Sequence, residues 1–243
     1  CRIGEGRPKV ILPIVERTEA AILEKAAQFS TLPADCVEWR ADWFEGFQSP
    51  AAIARCVQKL RVALRDKLLL VTFRTKAEGS EQALSHPEYL TLLSLILDTD
   101  CADLLDIEFF TAGADLLKLV EQAHSAGVAV VCSSHDFAKT PPRAELISRM
   151  VQMQQAGADL PKLAVMPQCR TDVLELLAAT AEMADLHPET PVITMSMGAL
   201  GAVSRLAGET FGSAMTFANP GQASAPGQVS LDVVNAVLDA LKI

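Results

Sequence analysis

Short apolar runs alternate with longer amphipathic stretches along most of the chain. The apolar runs are rich in Val, Ile and Leu, and each has the length of a buried strand rather than of a helix. The pattern predicts strands at 10–15, 36–41, 68–74, 104–109, 129–135, 161–166, 192–197 and 213–217.

The stretches between these runs carry apolar residues at the i, i+3, i+4 spacing of helices that cover a sheet. They predict helices at 19–29, 50–64, 86–97, 113–126, 143–156 and 170–184. Gly127 and Gly157 each follow a predicted helix and precede a strand, where glycine is the favoured left-handed cap. Strands that alternate with helices in this way are typical of parallel βα units.

The alternation continues without a Ser/Pro-rich linker, which favours one domain over residues 1–243. We therefore predict a single-domain (β/α)8 TIM barrel. An open, doubly wound sheet is the alternative, because it has the same alternation of strand and helix. The chain begins with Cys1 rather than Met, so we expect a few N-terminal residues to be missing.

Charge, apolar runs and cysteines indicate which kinds of molecule the protein binds and where it is located. The formal net charge is -9 and no basic run is present, which argues against a nucleic-acid surface and favours a small-molecule substrate. No apolar stretch reaches the roughly 20 residues of a membrane span, and no signal peptide is seen. The six cysteines form no CxxC pair, which favours free thiols and a cytoplasmic location. No nucleotide, metal or other cofactor motif is found, so no cofactor is expected.

Lys162 is the cation inside the apolar run at 161–166. Burial disfavours an ammonium ion, so the pKa of a buried lysine falls from about 10.4 and the neutral amine can attack a carbonyl. The alternative is a lysine whose stem packs on the core while its amine reaches water.

The second predicted strand carries charge on one face. Alternation along a strand places Glu38, Arg40 and Asp42 on the same side. Charges that point into a barrel are unfavourable unless they pair or bind a ligand. An ion pair between Glu38 and Arg40 and a role in substrate binding both remain open.

Other polar residues lie where strands end, which is the face that carries active sites in barrels. They are Arg74 and Glu78 after the third strand, His135 at the end of the fifth, and Arg205 after the seventh. A histidine on the strand preceding that of Lys162 is a candidate general acid and base. Glu78 is expected to orient it, and Asp136 is either a competing orienter or a turn cap. The other three histidines have no metal-ligand spacing.

Several motifs follow one another at successive strand ends. They are Glu38-Trp39-Arg40, Phe73-Arg74-Thr75, Glu78-Gly79, Ser134-His135-Asp136-Phe137, Pro161-Lys162-Leu163, Met195-Ser196-Met197-Gly198, Ser204-Arg205 and Ser224-Ala225-Pro226-Gly227-Gln228. In this order the chain resembles the type I 3-dehydroquinate dehydratases, and the resemblance covers nearly its whole length.

The resemblance implies a hydro-lyase that converts 3-dehydroquinate to 3-dehydroshikimate in the shikimate pathway of aromatic amino-acid biosynthesis. Lys162 would form an imine with the substrate ketone, His135 would move protons, and Glu78 would hold His135. A homodimer is also implied.

The resemblance further implies a set of substrate contacts. Arg205, helped by Gln228, would bind the carboxylate, since a guanidinium matches two carboxylate oxygens. The residues implied for the ring hydroxyls are Glu38, Arg40, Arg74 and Ser224. The three arginines are expected to raise the local positive potential. Many family members have a serine near the end of the first strand, where this chain has Pro13, so that contact is in doubt.

Two other functions remain open from the residues. A class I aldolase also uses a Schiff-base lysine on a barrel strand, and the segment 198–201 could bind phosphate. A catalytically silent sensor could bind the same ring acid. Lys162, His135 and Glu78 argue against the sensor, because binding alone has no need of an imine-forming amine.

Overall fold

The structure is a computed structural model that describes residues 2–220 and 229–242. Its strands are β1 (Lys9–Ile14), β2 (Cys36–Arg40), β3 (Leu68–Thr72), β4 (Leu104–Glu108), β5 (Ala129–Asp136), β6 (Leu160–Val165), β7 (Ile193–Ser196) and β8 (Met215–Phe217). All the predicted strands are confirmed, with ends that differ by at most two residues. Ser213 and Ala214, predicted as strand, precede β8.

The helices are α1 (Glu19–Ser30), α2 (Pro50–Leu64), α3 (His86–Leu97), α4 (Phe109–Ala112), α5 (Leu116–Ser125), α6 (Arg143–Gln155), α7 (Arg170–Leu186), α8 (Ala202–Leu206), α9 (Gly208–Phe211) and α10 (Leu231–Ala240). The predicted long helices are confirmed, except that the helix predicted at 113–126 begins as α5 only at Leu116, after a 3-10 turn at Gly113–Asp115. Predictions did not include α4, α8, α9 or α10. Helix α10 buries Leu231, Val234 and Leu238, a helical spacing that the sequence contains.

Local sequence explains where several helices begin and end. Thr18 and Ser49 accept hydrogen bonds from backbone N–H groups in the first turns of α1 and α2. Ser85 and Glu88 form a reciprocal capping box at the start of α3. Gly127 and Gly157 have φ angles of 71° and 89°, the left-handed conformation expected of them after α5 and α6.

The eight parallel strands form one sheet in the order β7-β6-β5-β4-β3-β2-β1-β8. Consecutive strands are neighbours and β1 pairs with β8, so the order has no reversal point and the doubly wound alternative is wrong. An isolated parallel bridge joins Val192, just before β7, to Ser213, before β8. The fold is the predicted (β/α)8 barrel.

Contacts divide the chain into two compact units, and each has its own buried strands. The unit Leu12–Cys132 pairs β2 with β3 in register from Cys36 opposite Leu68 to Arg40 opposite Thr72. The unit formed by Cys1–Ile11 and Ser133–Ile243 pairs β6 with β7. That residues 1–243 form a single domain stays a prediction. No helix among the described residues is long and apolar enough to cross a bilayer.

Candidate active site

Arg74 is the centre of a buried ionic cluster at the C-terminal end of β3. It is only 4% exposed. Its guanidinium donates to Glu108 and Asp106 at 2.9 Å each and lies 3.5 Å from Glu78. Burial by itself would lower the pKa of Arg74, but the facing carboxylates of Asp106, Glu108 and Glu78 raise it overall. The guanidinium is therefore held charged and fixed in place.

Glu108 anchors this cluster through both carboxylate oxygens. Oε1 accepts from Arg74 Nη1 and, at 2.8 Å, from the backbone N–H of Thr75. Oε2 accepts from the hydroxyls of Thr75 at 2.7 Å and Thr111 at 2.6 Å. With no exposed surface, Glu108 fixes the position at which the chain leaves β3.

Sequence reasoning missed Asp106 and Glu108. They alternate on β4 as Glu38 and Arg40 do on β2, so the same period of two at the end of a strand is the signal that could have found them.

Arg40, at the end of β2, forms an ion pair with Asp42 and not with Glu38. Arg40 donates through Nε and Nη2 to the two oxygens of Asp42, at 2.8 and 2.7 Å. Glu38 instead accepts from the Thr72 hydroxyl at 2.9 Å. The Glu38–Arg40 pair is therefore not the one that forms, because β2 ends at Arg40 and the 3-10 turn Ala41–Trp43 turns Asp42 back onto the guanidinium.

These pairs change the expected electrostatics. Three arginines were expected to add positive potential, but Arg74 faces carboxylates and Arg40 is paired with Asp42. The expectation is therefore wrong for those two residues, whose charge is neutralised locally.

In the other unit, Lys162 lies on β6, of which every residue is buried. Lys162 is 3% exposed, so its amine does not reach water along the surface and the alternative interpretation is wrong. The Nζ atom lies 4.8 Å from the centre of the Phe217 ring. In the strand register Lys162 lies opposite Ile193 of β7.

His135 is the penultimate residue of β5, the neighbour of β6 in the sheet. Its ring stacks on that of Phe137, with centroids 6.2 Å apart and planes 14° from parallel. Asp136 Oδ1 accepts from the N–H groups of Ala138 and Lys139, which shows it to be a turn cap. Glu78 lies in the other unit, and its predicted orientation of His135 stays a prediction.

Arg205, on the short helix α8, differs from the other two arginines. Its Nε is buried without a hydrogen-bond partner, and no described residue forms a salt bridge with it. Nη1 lies 3.7 Å from the sulfur of Met195. Burial lowers the pKa of Arg205. A buried guanidinium with unused donors is arranged to receive an anion.

The remaining predictions concern Ser224, Gln228, Pro13 and metal binding. Ser224 and Gln228 lie outside the described residues. Pro13 lies inside β1. Within residues 2–220 and 229–242, no group of three or more His, Cys, Asp or Glu side chains is arranged to hold a metal ion.

Comparison with known proteins adds independent evidence. The family model described as type I 3-dehydroquinase matches residues 10–243. The 3-dehydroquinate dehydratase of Bacillus subtilis (strain 168) is 47% identical over 239 residues, which is 98% of this chain and 94% of that protein.

The chain belongs to the type I 3-dehydroquinase family.

Solved structures of the family agree. Type I 3-dehydroquinate dehydratase from Clostridium difficile, solved with covalently modified comenic acid, superposes with a TM-score of 0.95 at 44% identity. The match covers 98% of this chain and 94% of that one. The enzyme from Enterococcus faecalis gives a TM-score of 0.93 at 41% identity, covering 100% and 97% of the two chains.

Membership of the type I 3-dehydroquinase family confirms the predicted resemblance and the predicted enzyme class, a hydro-lyase. It decides against the class I aldolase and the silent sensor. The family match does not assign roles to individual residues, so the catalytic and binding residues remain predictions.

Removing the Glu108 carboxylate should destabilise this 3-dehydroquinase strongly. Glu108→Ala removes one of the carboxylates that face Arg74 and leaves three neighbouring donors without their acceptor, and we expect a loss of about 3–5 kcal/mol in the free energy of unfolding. Glu108→Gln should cost less, because its oxygen still accepts from Arg74 while the hydroxyls can turn to accept from the amide. Urea unfolding measures both.

The matched control is Glu121→Ala, which removes an exposed carboxylate on α5 and should change stability by about 0.5 kcal/mol or less. If Glu108→Ala were as mild as this control, the cluster would not be what holds the end of β3.

Proposed function

We propose that this protein dehydrates 3-dehydroquinate to 3-dehydroshikimate in the shikimate pathway, through an imine on Lys162. The observation that carries the proposal is the burial of Lys162, which is 3% exposed on a fully buried strand of a type I 3-dehydroquinase. An amine shielded from water in this way can condense with a carbonyl. The covalently modified ligand in the Clostridium difficile enzyme supports covalent chemistry in the family.

The proposed reaction conserves atoms and protons. The neutral Lys162 amine adds to the substrate ketone, one proton is taken up from solvent and one water leaves, which gives an iminium ion. His135 takes a proton from the adjacent carbon, and the electron pair of the broken C–H bond moves toward the iminium nitrogen to give an enamine. The enamine expels the neighbouring hydroxyl, and His135 returns its proton to that group as it departs as water. Hydrolysis of the resulting iminium ion consumes one water, returns the proton to solvent and frees Lys162.

The iminium is the reason for using a lysine. A positively charged nitrogen accepts the electron pair of the broken C–H bond far better than a neutral ketone oxygen does, so the barrier to proton removal falls. His135 lies on the strand next to that of Lys162 and its ring is held against Phe137. This arrangement supports its proposed role as general base and then general acid.

Arg205 is the proposed binding group for the substrate carboxylate. It is the arginine in the described part of the site that has no carboxylate partner, and its buried Nε has an unused proton. A substrate carboxylate would supply the missing acceptor, and two oxygens would match the fork of the guanidinium. Gln228 is proposed to assist it.

The ring hydroxyls are proposed to bind on the β2 and β3 side. The residues in question are Glu38, Arg40, Arg74 and Ser224. Of these, Arg40 and Arg74 are fixed by carboxylates, so they offer directed N–H groups rather than a free positive charge. Glu78 is proposed to orient His135.

We also propose that the protein is a cytoplasmic homodimer. Within the described residues Cys36, Cys56 and Cys132 are buried free thiols, which supports a reducing compartment. Burial raises the pKa of Cys56 to about 12, so this thiol is unreactive at neutral pH. Sedimentation velocity distinguishes a dimer from a monomer.

Borohydride added together with 3-dehydroquinate should trap a covalent adduct on Lys162 and abolish activity. The reagent reduces the imine to a stable amine, and mass spectrometry of the intact chain followed by peptide mapping locates it. Lys162→Ala should remain folded, form no adduct and show no turnover.

The matched control is Lys118→Ala, which removes an exposed lysine on α5 and should form the adduct at the normal rate. An adduct found on another lysine, or activity retained by Lys162→Ala, would overturn the proposal.

His135→Ala should lose most of its turnover but still form the borohydride adduct slowly. The imine can form from the lysine amine with solvent in place of His135 as the slower proton carrier, whereas proton removal from carbon needs a base, which typically contributes 10²–10⁴-fold in rate. Steady-state kinetics and single-turnover trapping separate the two steps. His187→Ala, at the end of α7, is the control and should keep normal turnover. Normal turnover in His135→Ala would show that His135 is structural.

A further inference from the structure

The carboxylate of Asp42 joins three segments of the unit Leu12–Cys132. Oδ1 accepts from Arg40 Nε at 2.8 Å and from the backbone N–H of Arg74 at 3.2 Å. Oδ2 accepts from Arg40 Nη2 at 2.7 Å and from the Ser80 hydroxyl at 2.8 Å. One buried side chain thus ties the end of β2 to the end of β3 and to the loop that follows it.

The acceptor capacity of Asp42 is filled. A carboxylate offers about four lone-pair sites, and the four donors above occupy them. The Asp42 side chain is 0% exposed. Asp42 therefore has no site left for a substrate hydroxyl, and any effect on the reaction must pass through the groups that it holds.

The first of these groups is the Arg40 guanidinium. It is bound through two parallel hydrogen bonds, so both its position and its plane are fixed. Its side chain keeps 23% of its surface exposed. Arg40 and Asp42 border a cavity of about 260 Å³ that Trp43, Ser80 and Gln82 also line. The remaining N–H groups of Arg40 can thus reach a ligand.

The second group is the loop that carries Glu78. Glu78 ends the 3-10 turn Lys76–Glu78, and the loop closes on itself where Lys76 N–H donates to Gln82 O at 2.6 Å. Ser80 N–H donates to Thr75 O at 3.1 Å, and the Ser80 hydroxyl donates to Asp42. The loop is compact, and Ser80 fastens it to the end of β2.

We propose that Asp42 is a positioning residue that sets Arg40 and the Glu78 loop in a fixed relation, so that one buried carboxylate controls both substrate binding and proton transfer. The inference rests on the proposed function, because it takes Arg40 as a hydroxyl-binding residue and Glu78 as the partner of His135. Asp42 itself does not touch substrate.

Loss of the Asp42 contacts should change KM and kcat separately, which loss of a purely structural carboxylate would not do. The Arg40 link should act on KM, because it orients a binding group. The Ser80 link should act on kcat, because it holds the loop of the residue that orients the base. A shift of about 1 Å in a group that positions substrate can cost about 100-fold in rate.

The experiment compares kcat and KM in Asp42→Asn, Asp42→Ala, Ser80→Ala and Asp42→Ala/Ser80→Ala. Asp42→Asn removes the charge and one acceptor from the Arg40 fork, and we expect kcat/KM to fall about 100-fold, with KM raised and kcat lowered. Ser80→Ala should lower kcat about 10-fold and change KM by less than about 2-fold. Asp42→Ala should be worse than Asp42→Asn.

The double variant should match Asp42→Ala alone, because Asp42→Ala already removes the acceptor of the Ser80 hydroxyl. If the two effects multiplied instead, Ser80 would act independently of Asp42 and the proposal would be wrong. Ser80→Ala removes only one partly buried hydroxyl, so we expect this variant to fold. Its kcat therefore tests the proposal even if the Asp42 variants fold poorly.

The matched control is Asp103→Asn. Asp103 also accepts from an arginine, Arg61 at 2.5 Å, and from a backbone N–H, that of Leu69 at 2.7 Å, but at the opposite end of β3. Its melting temperature should fall, by less than in Asp42→Asn because the Asp103 side chain is 39% exposed, while its kcat and KM stay within about 2-fold of the parent. Equal kinetic losses in the two variants would show that Asp42 acts through stability alone.

Borohydride trapping separates this inference from the proposed function. The adduct on Lys162 should form in every variant, since none of them touches that lysine. Absence of the adduct from the parent enzyme would contradict the imine mechanism. Normal trapping together with unchanged kinetics in Asp42→Asn would overturn the positioning role and leave the proposed function intact.

Discussion

The desolvation of charged groups is the constraint on which this structure depends. Strands of a parallel sheet are covered on both faces, so an ionised side chain on them loses its hydration and needs a partner. Arg74 shows the result most clearly, because three carboxylates surround it and burial alone would disfavour its charge. The ends of β3 and β4 are joined by these contacts as well as by the pairing of the two strands.

The same constraint distinguishes two kinds of buried cation. Arg40 and Arg74 are neutralised by acids of their own unit, so they serve as rigid donors. Arg205 has no such acid among the described residues, and burial lowers its pKa. A buried cation without an anionic partner is unfavourable unless a ligand supplies one, which is why Arg205 and not the other two is proposed to bind the substrate carboxylate.

The sequence predicts much of this fold because the pattern that specifies it is local. Each strand is a short apolar run and each long helix an amphipathic stretch, so β1 to β8 could be placed from neighbours along the chain. The partners of the charged residues could not be predicted in this way. That Arg40 pairs with Asp42, and that Arg74 meets Asp106 and Glu108, depends on turns and on strands brought together only by folding. Lys162 could be predicted as buried because its whole strand is apolar.

Carboxylates whose acceptor sites are all used hold other residues in place and do not bind substrate. Asp42 and Glu108 each accept four hydrogen bonds, so neither has capacity left for a substrate. Lys162 lies on a fully buried strand, with its amine 4.8 Å from the centre of the Phe217 ring. Catalysis by positioning needs a nucleophile and the groups that hold the substrate in a fixed relation, since a nucleophile gains rate only when the substrate is held in a reactive geometry. The saturated carboxylates provide that fixity, which is why a residue that never meets the substrate can still control the rate.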